Sequence, residues 1–410
     1  MKRSITHSGV SGCVAIFLPM LLFIESNYYN SEFTGNSFFI GSFLIQWSHR
    51  FPINRLKEER MEFKPLIIGN HTAAVPIIQG GMGVGISLSG LASAVSRQGA
   101  IGVISAIEIG MDEPDYRQNK RKANIQGLRN EIRRTRALAD GGVFGVNIMA
   151  AINNYEEMVR TAVEEEVDII IVGAGLPLNL PGFVRGTNTA VVPIVSSAKA
   201  FQLIGRKWAR DFGYSPDAVI VEGPLAGGHL GFSRSQLERL DENRLENIVI
   251  DVLTEAQRFE DSSGRPIPVI AAGGIWDKED IKRFINLGCQ GVQMGTRFVA
   301  TFECDASDEF KEAYLDADED DVLIITSPVG MPGRVIRGSF IDSLGEGEKI
   351  KCRYNCLKTC NPAEAPYCIA DALINAKTGN MDKGFAFCGA NVGRVDRIVS
   401  VKELIRELTQ

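Results

Sequence analysis

The chain is expected to fold as an α/β protein, a (β/α)8 TIM barrel with an irregular Cys-rich C-terminal lid or insertion and a terminal helix. Three observations lead there. Between Pro76 and Phe298, eight short apolar runs alternate with amphipathic stretches. The runs are apolar almost without interruption, which marks strands buried on both faces and hence parallel pairing. The stretch from Met61 to Cys304 also has about the length that eight such units need. An open doubly wound sheet is the alternative, and the count of eight favours closure.

In chain order, Pro76-Ile-Ile-Gln-Gly-Gly-Met is the first strand and its loop, followed by a helix over Ser89 to Gln98. Ile101-Gly-Val-Ile-Ser is the second strand, and a basic connection leads to a helix over Ile125 to Ala139 whose Arg-rich face is a solvated surface. Val143 to Met149 is the third strand, with a helix through Tyr155 to Glu165 after it. Asp168-Ile-Ile-Ile-Val is the fourth, closed by Gly173-Ala-Gly, and Val191 to Ser197 the fifth, with a helix over Ala198 to Asp211. Ala218 to Val221 is the sixth, ending in Glu222-Gly-Pro-Leu-Ala-Gly-Gly-His229. After an insertion, Ser233 to Asn243, comes a helix over Leu245 to Glu260. Pro268 to Ile275 is the seventh strand and loop, with a helix over Asp277 to Leu287, and Gln290 to Phe298 supplies the eighth. Beyond Cys304 the period is lost until an amphipathic helix at Val401 to Leu408. The expected division is therefore 1–60 as a non-core extension, 61–304 as the barrel, 305–395 as a substrate-side Cys-rich segment, and 396–410 as the final helix.

Composition bounds the function. With 45% hydrophobic and 23% charged residues, the chain can fill a sizeable core. A net charge of -6 without a basic, aromatic-interleaved cluster argues against nucleic acid as partner. The first sixty residues differ from the body. Lys2-Arg3 precede an apolar run from Val14 to Ile24, too short for a comfortable membrane span, and a second apolar patch covers Phe38 to Trp47. An export signal, an anchor, and upstream sequence ahead of a functional start at Met61 all fit; the last is favoured. A cytoplasmic body without membrane attachment is expected, acting on a small-molecule substrate.

Ligands of a TIM barrel are met at the C-terminal ends of the strands, with phosphate held after strands 7 and 8. Gly273 and Gly274 stand after the seventh run, Gly295 and Thr296 after the eighth, so their backbone N–H groups can form an anion cradle. The first loop, Gln79-Gly-Gly-Met-Gly-Val-Gly, fails the G-x-G-x-x-G dinucleotide pattern because Ile86 holds the last position. Close approach of backbone to a flat ring is the better use for it. His229, delivered by a flexible Gly-rich loop past the sixth strand, is a candidate general base; an imidazole of ordinary pKa, about 6.5, accepts a proton near neutrality. His7, His49 and His71 match no motif.

Five pieces in order carry a resemblance to a known family: Pro76 to Met82, Phe144-Gly-Val-Asn147, Glu222 to His229, Ala271-Ala-Gly-Gly-Ile275 and Gln293 to Phe298. Over Pro76 to about Phe302 the chain resembles the nitronate monooxygenase (2-nitropropane dioxygenase) family and its relative, the FMN-dependent enoyl-acyl-carrier-protein reductase. The resemblance implies a barrel carrying non-covalent FMN. It implies that Gln79, Gly80, Gly81 and Met82 lie beside the isoalloxazine, with Asn147 and Lys199 near the ring or ribityl chain. Glu222 and Gly228 would be on the cofactor side of the sixth loop, Gly273, Gly274, Gly295 and Thr296 around the phosphate. His229 falls at the family's active-site histidine, the base for nitroalkanes and the group that positions nitronates. The implied activity is oxidation of alkyl nitronates with molecular oxygen. The alternative is an NAD(P)H-dependent enoyl-thioester or quinone reductase on the same barrel, with acyl carrier protein as partner only in that case. A non-catalytic flavin-binding scaffold is a third class, disfavoured by the intact His229 loop.

Cys352, Cys356, Cys360 and Cys368 form a dense run that departs from the simplest members. Zinc or an iron–sulfur cluster competes there with thiols packed in a lid. On a straight helix, positions eight apart are about 12 Å apart, too far to share one zinc. The spacing also matches neither the C-x2-C pairs of zinc ribbons nor the ferredoxin run. No metal is the expectation adopted.

Overall fold

The structure is a computed structural model that describes residues 63–344 and 352–410. The expectations for 1–60, and for a start at Met61, lie outside the described residues. The strands are β1 (Leu66–Ile68), β2 (His71–Ala73), β3 (Ile77–Gln79), β4 (Gly102–Ser105), β5 (Phe144–Met149), β6 (Ile169–Gly173), β7 (Ala190–Val195), β8 (Val219–Glu222), β9 (Gly228–His229), β10 (Val269–Ala272), β11 (Gly291–Met294), β12 (Val322–Thr326) and β13 (Pro332–Ile336). Eight of them form one parallel sheet in the order β3-β11-β10-β8-β7-β6-β5-β4. Its two ends meet: Ile78 bridges Ile101, with Gln79 N donating to Ile101 O and Ile101 N to Ile77 O, both at 2.9 Å. The sheet is a closed barrel.

Alternation inside the apolar runs fills both faces. Ile169, Ile171, Ile220 and Ile270 join the cluster inside the barrel. Their neighbours Ile170, Val172, Val219, Val221 and Val269 face outward into the larger cluster beneath the helices. The β1–β2 hairpin, which the sequence pattern does not announce, adds Leu66, Ile68 and Ala73 to the interior cluster.

The outer layer comprises α1 (Ser89–Arg97), α2 (Lys120–Leu138), α3 (Tyr155–Glu164), α4 (Ala198–Phe212), α5 (Leu245–Ser263) and α6 (Lys278–Leu287). Beyond the barrel strands come α7 (Asp308–Asp316), α8 (Ile369–Lys377) and α9 (Val401–Thr409). The helix α4 illustrates how they form. Ser197 caps its start by accepting from Ala200 N, Phe201, Ile204, Gly205 and Trp208 make one buried stripe, and Gly213 ends it in the left-handed region. The last helix, α9, packs against both α1 and α6. It therefore takes the place of the eighth barrel helix. Thr301 bridges Val399, Phe302 N donates to Val399 O, and Val401 N donates to Glu303. These bonds tie the two ends of 305–398 together, so the Cys-rich stretch is inserted within the eighth β/α unit. Among the described residues no helix is long and apolar enough to cross a membrane.

Candidate active site

At the C-terminal ends of the barrel strands lies a cavity of about 390 Å³. Strand register decides which side chains form its floor. Asn147 pairs with Ile171, which faces the barrel interior, and Ser105 pairs with Asn147; Glu222 and Gln293 both pair with Ala272, also interior. All four polar residues therefore project from the barrel axis into the cavity, and all four line it. Among the described residues, the buried Gln293 Oε1 atom has no hydrogen-bond partner, which leaves an open acceptor on a side chain that lines the cavity.

Gly80, Gly81 and Met82 from the first loop, Gly228 from the sixth, and Gly273, Gly274, Gly295 and Thr296 from the last two also line this space. Gly273 and Gly274 adopt φ of 95° and 81°, which turns the chain tightly beneath the cavity in a conformation closed to most residues. Thr296 Oγ1 accepts from Gly389 N at 3.0 Å, leaving the hydroxyl proton free to be donated.

Two expected residues are elsewhere. Gln79 is fully buried, its side chain bonded to Val103 N at 2.9 Å and to Val103 O at 3.3 Å, so it stitches β3 to β4 at the barrel seam and lies outside the cavity lining. An amide so placed satisfies a ladder the short strands leave incomplete. Lys199 is exposed on the first turn of α4 and does not line the cavity.

The loop carrying His229 is also more ordered than a free Gly-rich turn. Gly228 and His229 form β9, which pairs with β13, itself paired with β12. His229 Nε2 lies 2.7 Å from Ser327 Oγ, and its ring centroid is 5.0 Å from that of Phe387. Burial pushes the imidazole down to about 4, below the ordinary value expected from sequence, so the ring is neutral at physiological pH. Burial pushes the Glu222 carboxyl the other way, up to about 8, with the Arg334 guanidinium holding it back. Arg334 is 5% exposed and donates to Ala226 O. Burial lowers the pKa of its own guanidinium.

A roof over the cavity comes from the insertion. Phe387, Cys388, Gly389 and Asn391 line it; Asn391 Nδ2 donates to Gly274 O at 3.0 Å and Ala390 N to Leu225 O at 3.1 Å. Sequence reasoning missed Ser327, Arg334, Phe387, Cys388 and Asn391, for their segment has no period to read. Ser105 and Gln293 were legible in principle, by counting alternate positions from Asn147 and Glu222. Of the four-cysteine run, Cys352 is exposed and Cys356, Cys360 and Cys368 are half-buried. Among the described residues, no three His, Cys, Asp or Glu side chains are grouped to hold a metal ion.

A closed (β/α)8 barrel whose mouth carries a polar floor, a glycine cradle and one neutral histidine defines a cofactor-sized site of the barrel oxidoreductases. The family model described as nitronate monooxygenase matches residues 64–410, and the chain belongs to that family. It is an enzyme, an oxidoreductase. A Mycobacterium tuberculosis protein named (3aS,4S,5R,7aS)-5-hydroxy-7a-methyl-1-oxo-octahydro-1H-indene-4-carboxyl-CoA dehydrogenase is 29% identical over 276 residues, 67% of this chain and 67% of that protein. A probable nitronate monooxygenase of Staphylococcus aureus (strain MSSA476) is 26% identical over 67% of this chain and 78% of its own length. Among solved structures, FabK from Thermotoga maritima is 29% identical with a TM-score of 0.63, covering 82% of this chain and 91% of FabK. The nitroalkane oxidase from Streptomyces ansochromogenes, 21% identical with a TM-score of 0.63 over 82% of this chain and 94% of its own, shares the fold.

Proposed function

We propose that the chain is an FMN-dependent oxidoreductase that oxidises alkyl nitronates with molecular oxygen. The residues present fit the cofactor. The orphaned Gln293 Oε1 and the inward amide of Asn147 suit the polar edge of a flat ring, with Gly80, Gly81 and Met82 alongside it. Gly273, Gly274, Gly295 and the free proton of Thr296 suit its phosphate. Bound FMN would take electrons from the substrate and pass them to oxygen, and the protein's part is to orient and exclude.

The observation that carries the substrate assignment is the neutral ring of His229 at the cavity wall. With its pKa pushed down to about 4, it is a poor base for a neutral nitroalkane at pH 7. It is a good hydrogen-bond partner for a nitronate that arrives already deprotonated. The role expected of His229 as proton acceptor therefore gives way to one of orientation. Glu222, protonated over the same range, adds a second neutral donor on the floor.

That same carboxyl favours one alternative, reduction of an enoyl thioester by NAD(P)H, which consumes a proton; the likeness to FabK and to a CoA-thioester dehydrogenase supports it. An acyl carrier protein would then be a partner. Anaerobic stopped-flow measurement on the yellow, FMN-loaded protein separates the two. Bleaching by an alkyl nitronate alone is expected; bleaching by NADH and not by nitronate would transfer the assignment to the reductase. Asparagine at 229 (His229→Asn) should keep FMN bound and lower kcat/KM for nitronate by about 10²-fold, the order of effect of lost substrate orientation. Unchanged turnover would remove His229 from the reaction.

A further inference from the structure

With β12 on one edge of β13, the other edge is shared by β9, where His229 stands opposite Gly333, and by the stretch at Phe387, opposite Val335. Residues that face each other across a ladder, and positions two apart along a strand, share a face. His229, Gly333, Val335 and Phe387 therefore present their side chains on one side of this small sheet. Gly333 has none to present, and the Phe387 ring fills the recess: a Cβ at 333 would lie 2.9 Å from its Cε1. The ring centroid is 5.0 Å from that of His229, with the two planes at 54°.

The ring is held from behind. Phe387 O accepts from the Tyr314 hydroxyl, Cys388 N donates to Arg334 O at 3.0 Å, and Ala386 O accepts from Ile336 N at 2.9 Å. Phe385 meets the ring edge-on at 5.1 Å and 80°. Phe385 is 2% exposed, stacked on Phe340 at 5.9 Å and met edge-on by Tyr367 at 5.6 Å. Offset and edge-to-face pairs are the favoured arrangements of aromatic rings, so the group resists rearrangement. Of these four aromatic residues, Phe387 is the half-buried one that lines the cavity together with His229.

We propose that Phe387 is the specificity-determining residue of the site, the wall at which the alkyl chain of the substrate ends, and that the absent side chain of Gly333 sets how far the wall stands back. The inference deepens the proposed function and rests on its placing of the nitronate group against His229. With the two charged oxygens held there, the carbon chain has the neighbouring ring to meet. Each methylene that finds apolar room is worth about fourfold in affinity, and each that meets a fixed ring finds none. Short chains are accepted and longer ones are stopped.

The test measures kcat/KM for ethyl and hexyl nitronate on the full-length, FMN-loaded enzyme, together with the change in the flavin spectrum on titration with straight-chain carboxylates from acetate to octanoate. A carboxylate shares the planar, two-oxygen anion of a nitronate and is not oxidised, so it reports chain length whether or not a nitronate is the substrate. Phe387→Ala should raise the hexyl-to-ethyl ratio by about 10-fold or more, as expected for several newly accommodated methylenes, and move the tightest carboxylate to a longer chain. Phe387→Leu should do the same by less. Gly333→Ala, whose methyl displaces the ring from its recess into the cavity, should lower the ratio by about 10-fold. In the double variant that effect of Gly333→Ala should vanish, since no ring is left to displace. A ratio and a carboxylate profile that both Phe387 variants leave unmoved would overturn the proposal. So would a Gly333→Ala effect of the same size with and without the ring. A shifted carboxylate profile in a protein that no alkyl nitronate bleaches would uphold the wall at Phe387 and count instead against the nitronate as substrate.

Discussion

On the barrel side of the cavity, Ser105, Asn147, Glu222 and Gln293 stand on strands whose parallel register leaves each only one direction to point. On the opposite side, Ser327, Arg334, Phe387 and Cys388 come from an insertion about ninety residues long by its bounds at 305 and 398, held by a three-stranded antiparallel sheet and a few backbone bonds. The floor is specified locally, two residues at a time. The roof is specified by contacts between segments that are far apart in the chain. Floors of this kind can be shared by many substrates, while the shape of the roof decides which of them is enclosed.

The largest effect is expected where floor and roof touch most closely. Gly227 has room for hydrogen only: a Cβ there would lie 2.6 Å from the carbonyl carbon of Cys388 and 2.8 Å from Gly389 N. These are backbone atoms and cannot swing aside. Gly227→Ala should displace 388–390, break the bond from Gly389 to Thr296, and weaken FMN retention by about 10-fold or more. Equilibrium dialysis against free FMN measures it. Unweakened retention would mean that the roof does not help to hold the cofactor.

The same contrast explains what could be read before the structure. The eight runs, their helices and the glycines after the last two strands were legible, because period and turn chemistry are local. Glu222 was legible as a strand-end residue; the upward push on its carboxyl was not, since that depends on burial in the folded chain and on Arg334 arriving from β13 to oppose it. His229 lines the cavity, but from the sequence it reads as an ordinary imidazole on a flexible loop. Nothing in Gly227-Gly228-His229 announces that Gly333 and Arg334 will pair with it. The identity of α9 as the eighth barrel helix was hidden by the insertion separating it from β11.

A smaller, pH-dependent effect follows from the opposed shifts of two groups at this boundary. An unfolded carboxyl ionises near 4.3, whereas Glu222 holds its proton up to about 8, so the stability of the ligand-free chain should decline as pH rises through that window. An unfolded imidazole gains a proton near 6.5, whereas His229 resists until about 4, so stability should also decline as pH falls from 6.5 toward 4. Glu222→Gln should flatten the alkaline side and His229→Asn the acid side, each by on the order of 5 °C in Tm across its window. If Glu222→Gln keeps the parent's alkaline slope, another group carries it.

The smallest effect sharpens the comparison by leaving the site alone. Lys199 begins α4, after β7, while the glycine cradle follows β10 and β11, with β8 between the two regions in the sheet. The side chain is exposed, and its neighbour Ala200, not Lys199, lines the cavity. A cation in the first turn of a helix is also mildly disfavoured by the helix dipole, so its loss costs the fold nothing. Lys199→Ala should therefore leave FMN affinity and nitronate turnover within about twofold, a change worth less than half of the 1.4 kcal/mol that tenfold represents. A tenfold loss of FMN affinity would show that the phosphate reaches across to the β7–α4 side, and that the cradle after the last two strands is not its seat.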